Sequence, residues 1–440
     1  MQIQVSEIID RSPVGALQIR VVLLCALVAL IDGFDIQAMA LVTPIVAADW
    51  GVPASSFGPV LSSSFAGIMV GAMTGGVLGD RIGRRGVLVA ALVLVGVASL
   101  LTARAGGMSD LMLLRCLTGV GIGACMPNFT ALTAEYTPSS RTAFFVTLMY
   151  SAVPLGGVLG GYIAPGIIDA HGWRSVFLLG GALPLAIAIL LLAALPESIR
   201  FQATRKTDHA KVGARLRQVD PTYAYDASHD FVASAAPKGG SLPSLFSDGR
   251  AAVTLLLWLV FFFSLFGMYL LTSWLPSVFA AQGWARAAAL QSASNFQLGG
   301  IVGGVILGVL IDRFGAYRVL APTFLAAAVF TALVGAWQGS LVQTMGLVAM
   351  SGFAIVGAQL GMTALAAGIY PTWARATGVG WALGVGRAGA VISPFVGGLA
   401  LAAEWSHPAL FAAAAVAPLL CAIAVLLLWA AVRRQARRAS

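Results

Sequence analysis

Two carboxylates interrupt the apolar stretch "ALIDGFDIQAMALV" at positions 29–42: Asp32 and Asp35. Three residues apart, they share one face of a helix. The apolar run begins near residue 21, so both fall about halfway across it. A charge at that depth of a bilayer costs ~2.5–3.5 kcal/mol on insertion scales. Two neighbouring carboxylates resist joint ionisation, so the pair is expected to hold one or more protons. A group that is neutral when dry and ionised when wet can carry protons, and alternating exposure to the two sides supplies the wetting. The other reading is a structural carboxylate, hydrogen-bonded to backbone or paired with an arginine, which suits one of the two better than both.

Other polar residues inside apolar runs extend the set. Arg387 lies near the middle of the run 376–402. Its fork matches a carboxylate and it stays charged, so it can hold an anionic substrate or pair with Asp32 or Asp35 when the site is empty. A permanent structural pair is the alternative. Arg115, in "RCLTGVGIGACMPN" (115–128), lies near the outer end of its run. It either joins the proton-coupling residues or snorkels outward. Glu135, at the inner end of the same run, either joins that coupling set or makes a surface or gate salt bridge. In "LWLVFFFSLFGMYLLTSWLP" (257–276), Phe262, Phe266 and Tyr269 fall on one face and could flank a flat ligand, or simply pack. Gln359 and Asn128 are placed with Phe266, Tyr269, Asp35 and Arg387 in the expected substrate-binding set.

The elements that must position these residues are membrane helices. The 440 residues are 59% hydrophobic and 10% charged, with mean hydropathy +0.90, whereas a soluble domain is about 25% charged. Twelve apolar runs are expected as spans: 21–46, 57–79, 86–104, 109–134, 142–166, 174–195, 251–280, 288–311, 318–337, 341–368, 376–402 and 408–432. Each is near the ~20 residues that cross a hydrocarbon core, and too long and continuous for barrel strands. Residues 1–19 are polar and mixed, so no cleavable signal peptide is expected. The four cysteines (Cys25, Cys116, Cys125, Cys421) all lie in apolar runs and read as small packing residues. The expected organisation is an N-terminal six-helix bundle (1–195), a cytoplasmic central loop (196–250) read as a solvated linker with part of it as a surface helix, and a C-terminal six-helix bundle (251–440).

With a cytoplasmic N-terminus, 21 of the 26 basic residues fall on the cytoplasmic side, 3 (Arg104, Arg174, Arg286) on the other, and Arg115 and Arg387 inside runs. That asymmetry predicts a multi-pass protein of the bacterial-type inner membrane with both termini cytoplasmic. It also accounts for the net charge of +9 as topology rather than a nucleic-acid footprint.

The chain repeats itself. "GIMVGAMTGGVLGDRIGRR" (67–85) matches "GGIVGGVILGVLIDRFGAYR" (299–318), with Gly67 on Gly299, Gly71 on Gly303, Asp80 on Asp312, Arg81 on Arg313 and Gly83 on Gly315. Downstream, "EYTPSSRTA" (135–143) matches "IYPTWARAT" (369–377), with Arg141 on Arg375. Two pseudo-symmetric six-helix halves follow, one known transporter construction. Gly67, Gly71, Gly75 and Gly79 line one helix face, where small residues let helices approach closely.

These residues resemble a known family. "GGVLGDRIGRR" (75–85) looks like the signature loop of the major facilitator superfamily, and Arg115 with Gly119, Gly121 and Gly123 resembles its fourth-span signature. "DGFD" (32–35), with "ATGVGWALGVGRAGAVISPFVGG" (376–398), is similar to the aromatic acid:proton symporter family, which imports benzoate-like and hydroxylated aromatic acids for catabolism. The resemblance implies that Asp32 and Asp35 are needed for proton-coupled uptake and that Arg387 matters for the aromatic carboxylate. It assigns Asp80, Gly83 and Arg84 to the cytoplasmic gate, where Asp80 caps or pairs with groups at the start of span eleven, such as Arg375. Arg141, Asp312 and Arg375 complete the expected gate. The second loop copy has Ala316 and Tyr317 where the first has paired arginines, so the two gates are expected to differ. "LPESIRF" (195–201) resembles the sugar-porter mark after span six, which also occurs outside that branch.

The resulting expectation is a proton-coupled symporter that imports an aromatic carboxylic acid by alternating access. Its partners are the small aromatic carboxylate, protons and the lipid bilayer; it needs no cofactor beyond the coupling proton, binds no metal or nucleic acid, works as a monomer and is not an enzyme. The alternatives are a proton-coupled antiporter exporting drugs or metabolites, and a non-transporting membrane sensor on the same fold. Buried arginines argue against a cationic drug, and the short loop and tail leave little room for a signalling domain.

Overall fold

The computed structural model describes residues 2–205, 209–220, 230–232, 242–247 and 250–439. The described chain is mainly helical. Its membrane-length helices are α2 (Ala16–Trp50), α3 (Gly58–Ile82), α4 (Arg84–Thr102), α5 (Met108–Tyr136), the pair α6 (Thr142–Tyr150) and α7 (Ala152–His171), and α8 (Arg174–Ala194). The second half supplies α11 (Ala251–Ala281), α12 (Arg286–Phe314), α13 (Ala316–Ala336), α14 (Leu341–Ile369), α15 (Thr372–Ala402) and α16 (His407–Ala439). Eleven spans are long and apolar enough to cross a membrane, and α2, taken with the short helix α1 (Val5–Arg11) from which it bends by 101°, makes the twelfth. Every expected run is matched by a helix, most to within a few residues and the last with seven more at its end, because a backbone in hydrocarbon must satisfy its own hydrogen bonds and a helix does so locally. The fifth run is interrupted at Ser151, whose hydroxyl donates back to the Thr147 carbonyl at 2.9 Å.

The chain gathers into two compact units. The first holds Met1–Asp35, Gly67–Gly156 and Arg174–Ala236; the second holds Ile36–Ala66, Gly157–Trp173 and Pro237–Ser440. Their boundary passes through α2, α3 and α7.

In the first unit, the expected glycine stripe is the contact between α3 and α5. A Cβ on Gly67 or Gly71 would strike the backbone at Cys116 or Val120, and one on Gly75 or Gly79 would strike Ala124 or Asn128. The second unit repeats the device between α12 and α14, where Gly299 and Gly303 face the carbonyls of Ala349 and Phe353. Lipid tails give helices no hydrophobic reason to associate, so close van der Waals approach through small residues is what holds these pairs.

The central segment departs from the expected solvated linker. Helices α9 (Ile199–Arg205) and α10 (His209–Val219) bury Ile199, Ala203, Val212, Leu216 and Val219 in one apolar cluster with Val5 and Ile9 of α1. A short strand β1 (Gln2–Gln4) pairs in parallel with β2 (Asp230–Val232), which adds the buried Phe231. The i, i+4 spacing of Val212 and Leu216 marks the buried face of α10, a pattern masked by the charged residues around it. The stretch 221–229 of the expected linker lies outside the described residues.

Candidate functional site

The two aspartates on α2 meet different surroundings. Asp35 is 5% exposed and accepts from the Ser99 hydroxyl on α4 at 2.9 Å. Nη1 of Arg115, on α5, lies 3.2 Å from both of its carboxylate oxygens. Nη2 of Arg115 donates to three hydroxyls: Ser99 at 3.0 Å, Thr102 at 3.0 Å and Thr118 at 2.9 Å. The Thr102 and Thr118 hydroxyls donate hydrogen bonds to the Ala98 and Leu114 carbonyls, which leaves their lone pairs for the arginine. The guanidinium carbon also sits 4.9 Å from the centre of the Phe177 ring on α8. A buried ion pair is retained only where its desolvation is offset by such neighbours. The alternative that Arg115 snorkels outward is therefore corrected: at 1% exposure it turns inward, because Asp35 and three hydroxyls offer more than the distant interface.

Asp32 is 0% exposed, and neither of its carboxylate oxygens has a hydrogen-bond partner among the described residues. Gly33, next to it, lets α2 press against the Val153 backbone of α7. One carboxylate of the pair is thus fully compensated and the other is not.

A second charge cluster joins α3, α4, α5 and α9. Glu135 forms an ion pair with Arg84 and accepts from the Ser198 hydroxyl. Arg84 also bonds Asp80 at 3.3 Å, with the aspartate side chain 74% exposed. Glu197 accepts from the backbone N–H groups of Arg84 and Arg85 at 2.9 and 3.2 Å, capping α4. Its carbonyl takes the Tyr136 hydroxyl at 2.7 Å. Gly83 adopts φ +101°, and a Cβ there would meet the Glu197 carboxylate, so any other residue is strained and displaces that cap. Glu197 and Ser198 were missed as site residues although "LPESIRF" contains both. Ser99, Thr102 and Thr118 were also missed; their only signal is the three-residue spacing Ser99–Thr102 and Arg115–Thr118. Arg141 is exposed at the start of α6.

The remaining expected residues lie in the second unit, except Asn128. Phe266 stacks on Phe262 with ring centres 6.3 Å apart. Tyr269 instead packs on Phe65, 4.4 Å away, and lies within electrostatic reach of the half-buried Arg387. Gln359 accepts from the Ser264 hydroxyl at 2.7 Å. Asp312 and Arg375 are exposed. Asn128, in the first unit, donates to the Gly75 and Ala124 carbonyls at 2.9 and 2.8 Å, tying α3 to α5.

A twelve-span helical bundle built from two related halves, with an ion pair and a bare carboxylate inside the spans, has the organisation of a secondary transporter. The family model described as Major Facilitator Superfamily matches residues 25–296 and 257–440, and the chain belongs to that family: it is a multi-pass membrane transporter and not an enzyme. It is 39% identical over 428 residues to a 4-hydroxybenzoate transporter, PcaK, of Pseudomonas aeruginosa, covering 97% of this chain and 96% of the relative. It is 37% identical over 426 residues to a gallate transporter of Pseudomonas putida, covering 96% and 94%. Among solved structures, the partially occluded inward-open form of the xylose transporter XylE from E. coli shares the fold, with a TM-score of 0.72, 16% identity and coverage of 94% and 98%.

Proposed function

We propose that this transporter imports a hydroxylated or unsubstituted benzoate-type acid together with protons, by alternating access, across the bacterial inner membrane, with both termini cytoplasmic and one chain as the functional unit. The substrate class rests on the named activities of the relatives, which are aromatic acid transporters. The observation that carries the coupling is Asp32, fully buried with both oxygens unbonded among the described residues. An isolated ionised carboxylate costs several kcal/mol to bury in a protein after relaxation, so Asp32 is the member of the pair that carries the proton. Asp35 is the member that changes partners: a proton there frees Nη1 of Arg115. Arg387 receives the substrate carboxylate, and Phe266, Tyr269 and Gln359 face the ring. Residues 1–195 and 251–440 act as the two moving halves, joined through 196–250. Asp80, Gly83, Arg84, Glu135 and Arg141 form the inner gate of the first half, with Asp312 and Arg375 as its counterparts in the second.

The test is uptake of radiolabelled 4-hydroxybenzoate, benzoate and 3-hydroxyphenylpropionate into right-side-out vesicles with an imposed pH gradient. The expected result is accumulation that follows the inward proton gradient and is lost in Asp32→Asn. Accumulation of none of the three acids overturns the substrate class. Uptake that ignores the gradient, or outward movement against it, overturns symport.

A further inference from the structure

Three elements of the second unit meet around Gly157 of α7. Gln37, on the part of α2 within this unit, is 0% exposed, and neither its Nε2 nor its Oε1 has a partner among the described residues. Gln297 of α12 is 6% exposed, with its Oε1 unpartnered. A Cβ on Gly157 would come within 2.8 Å of Gln37 Oε1 and 3.5 Å of Gln297 Nε2, so the two carboxamides converge on the side of α7 that carries no side chain. Ser294, three residues before Gln297, donates to the Gly157 and Val158 carbonyls at 3.3 and 3.1 Å and pins α12 to α7 there. The site is thus held by a hydroxyl-to-carbonyl contact and roofed by amides of which Gln37 Nε2, Gln37 Oε1 and Gln297 Oε1 have no partner among the described residues.

A buried amide left unbonded is destabilising, so it persists where another state of the protein or a ligand satisfies it. Whichever way each amide is turned, it offers one acceptor and a pair of donor hydrogens. A carboxylate accepts only, and would leave both glutamine oxygens unbonded. A hydroxyl both donates and accepts, and can bridge two carboxamides. The pair therefore suits a neutral polar group rather than an anion.

We propose that Gln37 and Gln297 are specificity-determining residues that bind the ring hydroxyl of a hydroxylated aromatic acid, beside the bare face of α7 at Gly157. This rests on the aromatic acid reading above. It divides the substrate between two ends: the carboxylate to Arg387, the hydroxyl to the amide pair. A site built to bond a hydroxyl discriminates strongly against an analogue lacking it, and loses that discrimination when its polar groups are removed.

The experiment is a binding measurement by calorimetry on the purified full-length protein in detergent. 4-Hydroxybenzoate, 3-hydroxybenzoate and benzoate are compared for wild type, Gln37→Leu and Gln297→Leu. The expected result is that each variant loses at least about tenfold in affinity for one or both hydroxybenzoates, while benzoate affinity holds or rises; tenfold corresponds to ~1.4 kcal/mol. Equal losses for all three acids, or no loss for any, overturn the proposal and assign the amides to packing. Should Gln37→Leu fail to fold, the ratio of hydroxybenzoate to benzoate affinity in Gln297→Leu decides by the same criterion. Wild-type protein that binds none of the three acids overturns the aromatic acid reading itself, and this proposal with it. Binding of all three with an unchanged ratio in the variants overturns the amide site alone.

Discussion

The helix pair α2–α5 and its counterpart by repeat, α11–α14, are each tied together by side chains buried in the bundle. In the first pair the tie is an ion pair, Asp35 with Arg115, supported by three hydroxyls. In the second it is a neutral hydrogen bond, Ser264 to Gln359 at 2.7 Å. Ser264 stands where the 232-residue repeat shift carries Asp32. The two loop copies differ in the same way. Gly83 (φ +101°) is packed against Glu197, within a network that includes Arg84, Glu135 and Ser198. Gly315 adopts a similar φ of +86°, yet a Cβ there would meet nothing within 4 Å. The repeat has preserved backbone and helix approach, while the buried ion pair and the bare carboxylate lie in the first half and the second keeps only Arg387 deep inside a span. The proposed symport has the same division, with one half handling protons and the other an uncharged ring with a single anionic end.

The sharpest way to break this comparison is at Asp32. A one-unit pH gradient is worth ~1.4 kcal/mol per proton, or about tenfold accumulation. Wild type should reach that in vesicles, and Asp32→Asn should not rise above equilibrium, while its substrate counterflow without a gradient survives. Gradient-driven accumulation by the mutant would move the proton elsewhere.

A smaller but still large effect is expected on stability. Arg115→Met leaves Asp35 buried without its cation, and removing one partner of a buried pair costs ~3–5 kcal/mol. The double variant Arg115→Met/Asp35→Leu should recover most of the lost thermal stability in detergent without recovering transport. A double variant no more stable than the single would show that the hydroxyls, not the charge balance, hold α2 to α5.

Next come the two loop glycines. Alanine at either position forces a side chain into a backbone region that costs ~1–3 kcal/mol. Gly83→Ala should lose about a further 1 kcal/mol, because displacing Glu197 also uncaps α4. Equal melting temperatures for Gly83→Ala and Gly315→Ala would remove the claimed asymmetry between the loop copies. The smallest effect belongs to the neutral tie: Ser264→Ala should cost ~1 kcal/mol. A loss matching that of Arg115→Met would place the second half on the same footing as the first.

The amino-acid sequence by itself determined the spans, the repeat and the depth of Asp32, Asp35, Arg115 and Arg387. Hydrocarbon admits only backbone that bonds to itself, so an apolar run of the right length is already a helix. It also determined the Gly67–Gly79 stripe, because four-residue spacing puts small residues on one face whatever lies opposite. What lies opposite was decided by tertiary structure. Two carboxylates and two arginines inside the spans left the choice of pairing open, and the rotation of α5 against α2 and α4 settled it by bringing Arg115 among Asp35, Ser99 and Thr102. The hydroxyls that complete the cluster belong to different helices, and no spacing along the chain announces such a convergence. Glu197 caps a helix 113 residues away from it in sequence, at Arg84, and Gln37 and Gln297 meet across Gly157 from three separate segments. Pairing of buried polar groups depends on ångström-scale distance between helices, and that is a property of the packed bundle.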